Sequence, residues 1–288
     1  MSSKPEIDLQ AGLYIVATPI GNMGDITLRA VETLRKVDFI CCEDTRESGK
    51  LTSAYDIKGQ KLSYHDHNAA EMRPKIIRLL KEGKTIALIS DAGMPLVSDP
   101  GYKLVQDCIA EDLYVTCVPG ASASLNALVL SGLPADRFFF AGFLPSKQSA
   151  RRQALGELKD IPGTLIFYET GPRLAESLAD MKDILGDRPA AVARELTKKF
   201  EETRRNTLSA LAASYEDAPP KGEIVVVVGA GDAAVEVWSE ADVDALLQKM
   251  ITAEGMGVKD AAAFVAAKAG LRKSDVYQRA LLLKGRRT

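Results

Sequence analysis

Residues 90–101, SDAGMPLVSDPG, constrain the fold of this chain more than any other stretch. They follow TIALI (85–89), a short apolar run of the kind buried on both faces of a parallel sheet. Two Asp, two Gly and two Pro within twelve residues rule out a continuing helix or strand. In an open α/β sheet, ligands bind outside the carboxyl ends of the strands. A loop of this make-up directly after a central strand is therefore a candidate binding loop, and a plain chain reversal is the alternative.

The pattern recurs along the chain. LYIVA (13–17) reads as a first strand, TPIGNMG (18–24) as its loop, and 25–36 as a helix capped near Asp25 or Thr27. The dinucleotide fingerprint G-x-G-x-x-G is absent, and Pro19 stands where its first Gly would be, which disfavours a nicotinamide dehydrogenase. Strands are expected at 37–42 and 61–64, helices at 71–82 and 102–110, and strands at 115–118 and 138–143, the last closing the first half. PGASA (119–123) turns into a further helix, whose N-terminus favours an anion or carboxylate. The first half is thus read as β-α units on a parallel sheet with their loops at one edge.

LPSKQSARRQ (144–153) reads as a polar, basic linker with Lys147, Arg151 and Arg152 exposed. The second half repeats the pattern, with strands at 164–168, 190–193 and 223–228 and helices near 174–185 and 208–215. After Asp232 the composition changes to helices over 242–253, 258–269 and 274–283, with a turn at Gly270-Leu271 and Ser274 as a cap. Two helices joined by a short turn, with Arg272, Lys273 and Arg279 around the second, resemble a helix-turn-helix. The expected organisation is an α/β domain over 1–145, a second over 146–234 with a cleft between the two, and a helical domain over 235–288.

Residues 259–288 hold eight basic and two acidic residues, so the net charge of −2 divides into +6 there and −8 over the rest. An acidic body with a basic tail suits an anionic partner for the tail, although a solvated helix face has the same composition. Cys41, Cys42, Cys108 and Cys117 lack metal-site spacing and read as buried free thiols of a reducing cytoplasm. His65 and His67 are the only histidines and leave little material for a metal site. No apolar run reaches membrane-span length, and the polar start is no signal peptide.

Seven segments carry a resemblance when taken in order: TPIGNMGDIT (18–27), CEDTR (42–46), SDAGMPLVSDPG (90–101), VPGASA (118–123), FYETGPR (167–173), RELTKKFEE (194–202) and GEIVVVVG (222–229). They resemble the tetrapyrrole-methylase fold and, more narrowly, the ribosomal RNA small-subunit 2′-O-methyltransferase I family. CEDTR together with RELTKKFEE separates this reading from the porphyrin-precursor methylases and from diphthine synthase. The resemblance covers about 12–232, and the helical end fits that family's appended helix-turn-helix. It implies S-adenosylmethionine in the cleft, 2′-O-methylation of a cytidine ribose in the decoding region of small-subunit ribosomal RNA, and a homodimer.

By position, Asp91, Gly93, Met94, Ser122 and Ala123 are expected to line the cofactor pocket, with Pro19 at its edge and Tyr168, Ala193 and Glu223 facing it from the second half. On the acceptor side the candidates are Glu43, Asp44, Arg46 and His65. A carboxylate there can take the hydroxyl proton, and Arg46 can hold a phosphate bidentately. An ion pair confined to Asp44 and Arg46 fits the same residues. Arg194, Glu195 and Lys198 form a further cluster at the rim, with a catalytic and a structural reading both open. Lys147, Arg151, Arg152, Lys198, Lys199, Arg204, Arg205 and the C-terminal cations are the expected phosphate contacts.

Overall fold

Alternation along the strands decides the architecture. In the computed structural model, which describes residues 8–231, 239–269 and 271–285, the first ten strands and α-helices run β1 (Gly12–Val16), α1 (Leu28–Lys36), β2 (Phe39–Cys42), α2 (Thr45–Ala54), β3 (Gln60–Ser63), α3 (Ala69–Lys81), β4 (Thr85–Ile89), α4 (Tyr102–Ala110), β5 (Val115–Val118) and α5 (Ala123–Ser131). The five strands form one all-parallel sheet in the order β3-β2-β4-β1-β5. Tyr14, Val16, Ala87 and Ile89 point to one face, against Ala30 and Leu34 of α1 and Leu51 of α2. Leu13, Ile15, Ile86 and Leu88 point to the other, against Ile76 of α3 and Leu104 of α4. Both faces are covered, so β1 and β4 read as continuous apolar runs.

The second sheet contains β6 (Phe138–Phe143), β7 (Thr164–Thr170), β8 (Pro189–Arg194), β9 (Glu202–Thr207) and β10 (Glu223–Val228), in the order β6-β7-β10-β8-β9. Only β6 and β7 run parallel; the other pairs are antiparallel. One face packs on α6 (Gln148–Leu158), α7 (Leu174–Leu185) and α8 (Leu208–Tyr215). The opposite face packs on Ala127 and Leu128 of α5 and on Ile20 of the β1–α1 loop. Helix α5 thus ties the two sheets into one compact unit that ends at Ala230. The second unit, from Gly231, contains α9 (Glu240–Gln248), a π-helical turn (Lys249–Ala253), α10 (Val258–Ala269) and α11 (Lys273–Gly285) around Val243, Leu247, Val265 and Val276. Ser239 and Asp242 form a reciprocal capping box at the start of α9. Gly270, in the expected turn, lies outside the described residues, as do Arg286 and Arg287.

Three expectations need correction. Strand β6 does not close the first half; it is an edge of the second sheet, because the chain has already crossed over in α5 and α6 is the connection between the parallel strands β6 and β7. The expected linker is mostly helix α6, and Arg151 is not exposed but 1% accessible. Its Nε donates to Asp180 at 2.7 Å, and Arg152 reaches the same carboxylate at 2.7 Å. A charge is retained in an interior only when paired in this way. Cys41, Cys42 and Cys108 are buried, whereas Cys117 is exposed; all four are free thiols.

Candidate active site

The carboxyl ends of β1 and β4 are neighbours in the sheet, and their loops are stitched together. Thr18 N–H donates to the Gly93 carbonyl at 2.9 Å, and Gly93 N–H returns a bond to the Thr18 carbonyl at 3.2 Å. The Ser90 hydroxyl also donates to the Gly93 carbonyl, at 3.0 Å, and the Thr18 hydroxyl to the Ser90 carbonyl at 3.1 Å. Gly93 holds φ at +85°, and a Cβ there would stand 3.1 Å from Cγ2 of Ile20, so glycine is required. Beyond it, Leu96 and Ser98 also sit at positive φ, strain of the kind that collects at functional sites.

A cavity of about 300 Å³ opens beside this loop. The first half supplies Ile20, Ala92, Gly93, Met94, Val97, Ser98, Asp99, Ser122 and Ala123. The second half supplies Phe143, Tyr168, Glu169, Thr170, Leu196 and residues 222–225. The Tyr168 ring meets Phe140 and Phe143 edge-on at 4.9 and 5.4 Å, forming an aromatic wall. Ser122 precedes α5 without capping it; its hydroxyl pairs with that of Ser124 at 3.1 Å, and while the Ser124 amide interacts with the Tyr168 hydroxyl, the helix start has no side-chain cap. Glu169 is buried, and its carboxylate accepts from Ser177 Oγ at 2.5 Å and from Thr170 N at 2.7 Å, which fixes the end of β7.

A second cavity, of about 220 Å³, shares Ile20, Ala92 and Glu223 with the first and adds Pro19, Glu47, Lys50, Asp91 and Lys198. Lys198 reaches into it from a loop in which Glu195 and Thr197 hold positive φ. Its ammonium bridges Glu195 at 2.8 Å and Glu223 at 3.0 Å, and its aliphatic stem lies where a Cβ on Gly21 would be. This network takes up two members of the expected rim cluster, Glu195 and Lys198; the third, Arg194, pairs instead with Glu202 at 3.4 Å.

Of the expected cofactor residues, Gly93, Met94, Ser122, Ala123, Tyr168 and Glu223 line the larger cavity. Pro19 and Asp91 line the smaller one. Ala193 lines neither; its side chain is 1% accessible within the apolar face under β10. It shares the sheet face of Tyr168, Leu196 and Val225, but it is packed beneath them rather than at the cavity surface. The lining residues that sequence reasoning did not anticipate include Asp99, Leu196, Gly222 and Ile224. Asp99 lay within the most conspicuous loop of the chain, and its signal is a second Asp between strained residues.

The acceptor-side residues divide. Asp44 caps α2, accepting from Arg46 N–H at 2.8 Å, and forms a bidentate pair with the Arg46 guanidinium at 3.1 and 2.8 Å. That side-chain bond, with the backbone bond next, holds its carboxyl down at about 2. Asp44 is therefore a poor base, and the pairing reading fits it and Arg46 better than a chemical one. Glu43 is raised instead, by desolvation first and then by the charges of Asp91 and Asp66. Asp91, which accepts from Asp44 N–H at 3.3 Å, is raised chiefly by burial. Burial and then the Glu43 charge push Asp99 up to about 6, against the Ser90 hydroxyl. His65 follows β3, and its Nδ1 is buried with no hydrogen-bond partner among the described residues. No group of three or more His, Cys, Asp and Glu side chains among the described residues is placed to hold a metal ion.

Most of the expected phosphate contacts are committed elsewhere. Arg151 and Arg152 bind Asp180, Lys198 binds Glu195 and Glu223, and Arg204 binds Glu202 at 2.7 Å. Arg205 donates twice to the Leu130 carbonyl, and Arg279 pairs with Asp244 and Glu240. These residues are internal staples rather than free charges. Lys199 lies over the Phe200 ring, at 5.6 Å from its centroid.

Two parallel-sheet loops, an uncapped helix N-terminus and an aromatic wall around one cavity describe a ligand site at a topological switch point. The family model of Tetrapyrrole (Corrin/Porphyrin) Methylases matches residues 12–212, which places the first unit in that class of fold. A solved uroporphyrin-III C-methyltransferase from Thermus thermophilus, complexed with S-adenyl homocysteine, shares this fold with a TM-score of 0.52. It is 19% identical, over 76% of this chain and 97% of its own. The RsmI C-terminal HTH domain matches 239–284. A ribosomal RNA small subunit methyltransferase I from Mesorhizobium japonicum is 51% identical over 97% of this chain and 95% of its own length. Its counterpart from Erythrobacter litoralis is 52% identical, over 96% of each. The chain belongs to the ribosomal RNA small subunit methyltransferase I family.

Proposed function

We propose that this protein transfers a methyl group from S-adenosylmethionine to the ribose 2′-hydroxyl of a cytidine in the decoding region of small-subunit ribosomal RNA. The observation that carries the reading is the larger cavity: six of the nine residues expected to contact the cofactor line it. The lining suits the ligand's parts. The Tyr168 wall offers a face for an adenine, and the open start of α5 offers amides to a carboxylate. Asp91, Asp99 and Glu223 supply negative charge near a sulfonium. The cofactor brings a methyl already activated for transfer. What remains for the protein is to hold the acceptor hydroxyl in line, exclude water and accept a proton.

The relatives' names support small-subunit ribosomal RNA as the substrate. The cytidine, its ribose oxygen and the decoding region rest on the resemblance carried by CEDTR and RELTKKFEE. A homodimer in the cytoplasm acting on the assembled subunit completes the proposal. With so many cations committed to internal pairs, RNA contact falls to what remains, including Lys147, Lys199 and the helical unit. Deleting 239–288 is accordingly expected to weaken subunit binding in a salt-titrated filter assay; unchanged binding contradicts that role.

The test is tritiated-methyl transfer to small subunits and to naked small-subunit RNA from cells lacking the protein. Label in the subunit supports the reading. Label in neither, with tight cofactor binding intact, contradicts it and favours a small tetrapyrrole acceptor or a binder without catalysis.

A further inference from the structure

A third cavity, of about 260 Å³, opens between α3 and the end of the loop after β4. Asp99 lines both. The other walls come from the β3–α3 turn, the face of α3 and the start of α4, and include Tyr64, Asp66, Arg73, Tyr102 and Lys103. None of the acceptor candidates read from the sequence lies in it.

Its chemistry is that of a nucleotide subsite. Tyr102 is 63% exposed, so its ring face is open to a stacking partner. It makes no ring contact among the described residues, and only its hydroxyl is engaged, accepting from Gln106 at 2.9 Å. Lys103 has no carboxylate partner among the described residues. Arg73 donates to Asp107 at 2.7 Å through one terminal nitrogen, while its Nε is buried with no hydrogen-bond partner. An exposed aromatic face beside two cations is what stacks a base and holds its phosphate. The volume of about 260 Å³ falls just below the usual range of ligand pockets, which starts at about 300 Å³, and suits one nucleotide at most. An enzyme that modifies a nucleotide held in a folded RNA must take it out of its stack into such a pocket.

Resting on the function proposed above, we infer that this cavity receives the acceptor nucleotide, with its ribose hydroxyl at Asp99, which takes the proton. The step balances with the groups named. The hydroxyl oxygen forms a bond to the methyl carbon as the carbon–sulfur bond breaks. The bonding pair stays on sulfur, giving a neutral thioether, and the hydroxyl proton passes to the Asp99 carboxylate. Asp99 faces Ser90 on its own loop, Glu43 at the end of β2, Asp91 after β4, and Asp66 after β3. Burial first, and then those carboxylates, make it a stronger base than an isolated aspartate, while Asp44, held by Arg46, stays out of the transfer.

The experiment compares wild type with Asp99→Asn, Tyr102→Ala, Lys103→Ala and Lys50→Ala; Lys50 lines the smaller cavity beside the cofactor. Three quantities are read for each: affinity for unmethylated small subunits by filter binding, S-adenosylhomocysteine affinity by calorimetry, and single-turnover transfer from pH 5 to 8.5. Tyr102→Ala and Lys103→Ala are expected to weaken subunit binding, roughly 5- to 100-fold for the stacking residue, with calorimetric affinity unchanged. Wild type is expected to show an acid limb near pH 6, and Asp99→Asn to leave subunit binding within threefold, cut transfer by about 100-fold or more and abolish that limb. Weakened subunit binding in Lys50→Ala, with both cavity variants neutral, would move the acceptor to the other cavity and overturn the inference. So would an acid limb that survives in Asp99→Asn. Wild type that labels no subunit contradicts the proposed function itself and removes this inference with it.

Discussion

Replacing Gly93 with valine tests whether the loop after β4 is the floor of the cofactor cavity. Three hydrogen bonds hold this residue to Thr18 and Ser90 at 2.9, 3.2 and 3.0 Å, so its backbone cannot rotate without breaking them. At φ +85° an L-residue costs about 1–2 kcal/mol, and a β-branched one more. The new Cβ would stand 3.1 Å from Ile20 Cγ2, and the branches must displace a side chain that itself lines the cavity. A loss of about 1.4–2.8 kcal/mol in binding corresponds to roughly 10- to 100-fold weaker affinity. Ser122→Ala is the matched control: it removes a hydroxyl whose one polar contact is Ser124 and leaves the α5 amides in place. Calorimetric titration with S-adenosylhomocysteine is expected to show the large loss for Gly93→Val and less than threefold for Ser122→Ala. Thermal unfolding of both separates local damage from loss of fold. Equal affinities in two folded variants would refute the reasoning.

Asp44→Asn is expected to keep transfer within about threefold of wild type, because an Asn caps α2 as well as an Asp does and the lost partner is an exposed Arg; a hundredfold loss in the transfer assay would return Asp44 to the chemistry. Asp99 binds its proton more tightly folded, up to about 6, than unfolded, near 3.8. Its contribution to stability is therefore full below the unfolded value and lost as pH rises through about 6. Asp99→Asn is accordingly expected to raise Tm relative to wild type at pH 7.5, by on the order of 1–2 kcal/mol after solvent screening or roughly 2–8 °C, and to have little effect at pH 4; a gain equal at both pH values would contradict the burial argument. Arg151→Ala leaves the buried Asp180 with Arg152 as its one cation and Gln148 as a neutral donor, and an unfolding titration should show a loss of about 3 kcal/mol.

Much of the first half was legible because its physics is local. TIALI and LYIVA lack the alternation of a one-sided strand, and that alone implies a sheet covered on both faces. The loop at 90–101 could be recognised as a site because its composition permits nothing regular. What sequence could not convey was partnership across long separations. Phe138–Phe143 follows the first half in the chain, yet pairs with Thr164–Thr170. SARRQ looks solvated, yet Arg151 finds Asp180 twenty-nine residues away. The same limit applies at the site. Glu43, Asp44 and Arg46 looked reactive as a cluster, but the bidentate geometry that neutralises Asp44 is visible only in three dimensions. Asp99 became prominent only when two cavities proved to share it.

The most direct test of the central claim is nucleoside mass spectrometry with nuclease mapping on small-subunit RNA, after unmethylated subunits have been incubated with the protein and S-adenosylmethionine. The account predicts a single new 2′-O-methylcytidine in the decoding region, formed by wild type and not by Asp99→Asn. A methyl group on a base, on a nucleoside other than cytidine, or on a site outside that region would contradict it.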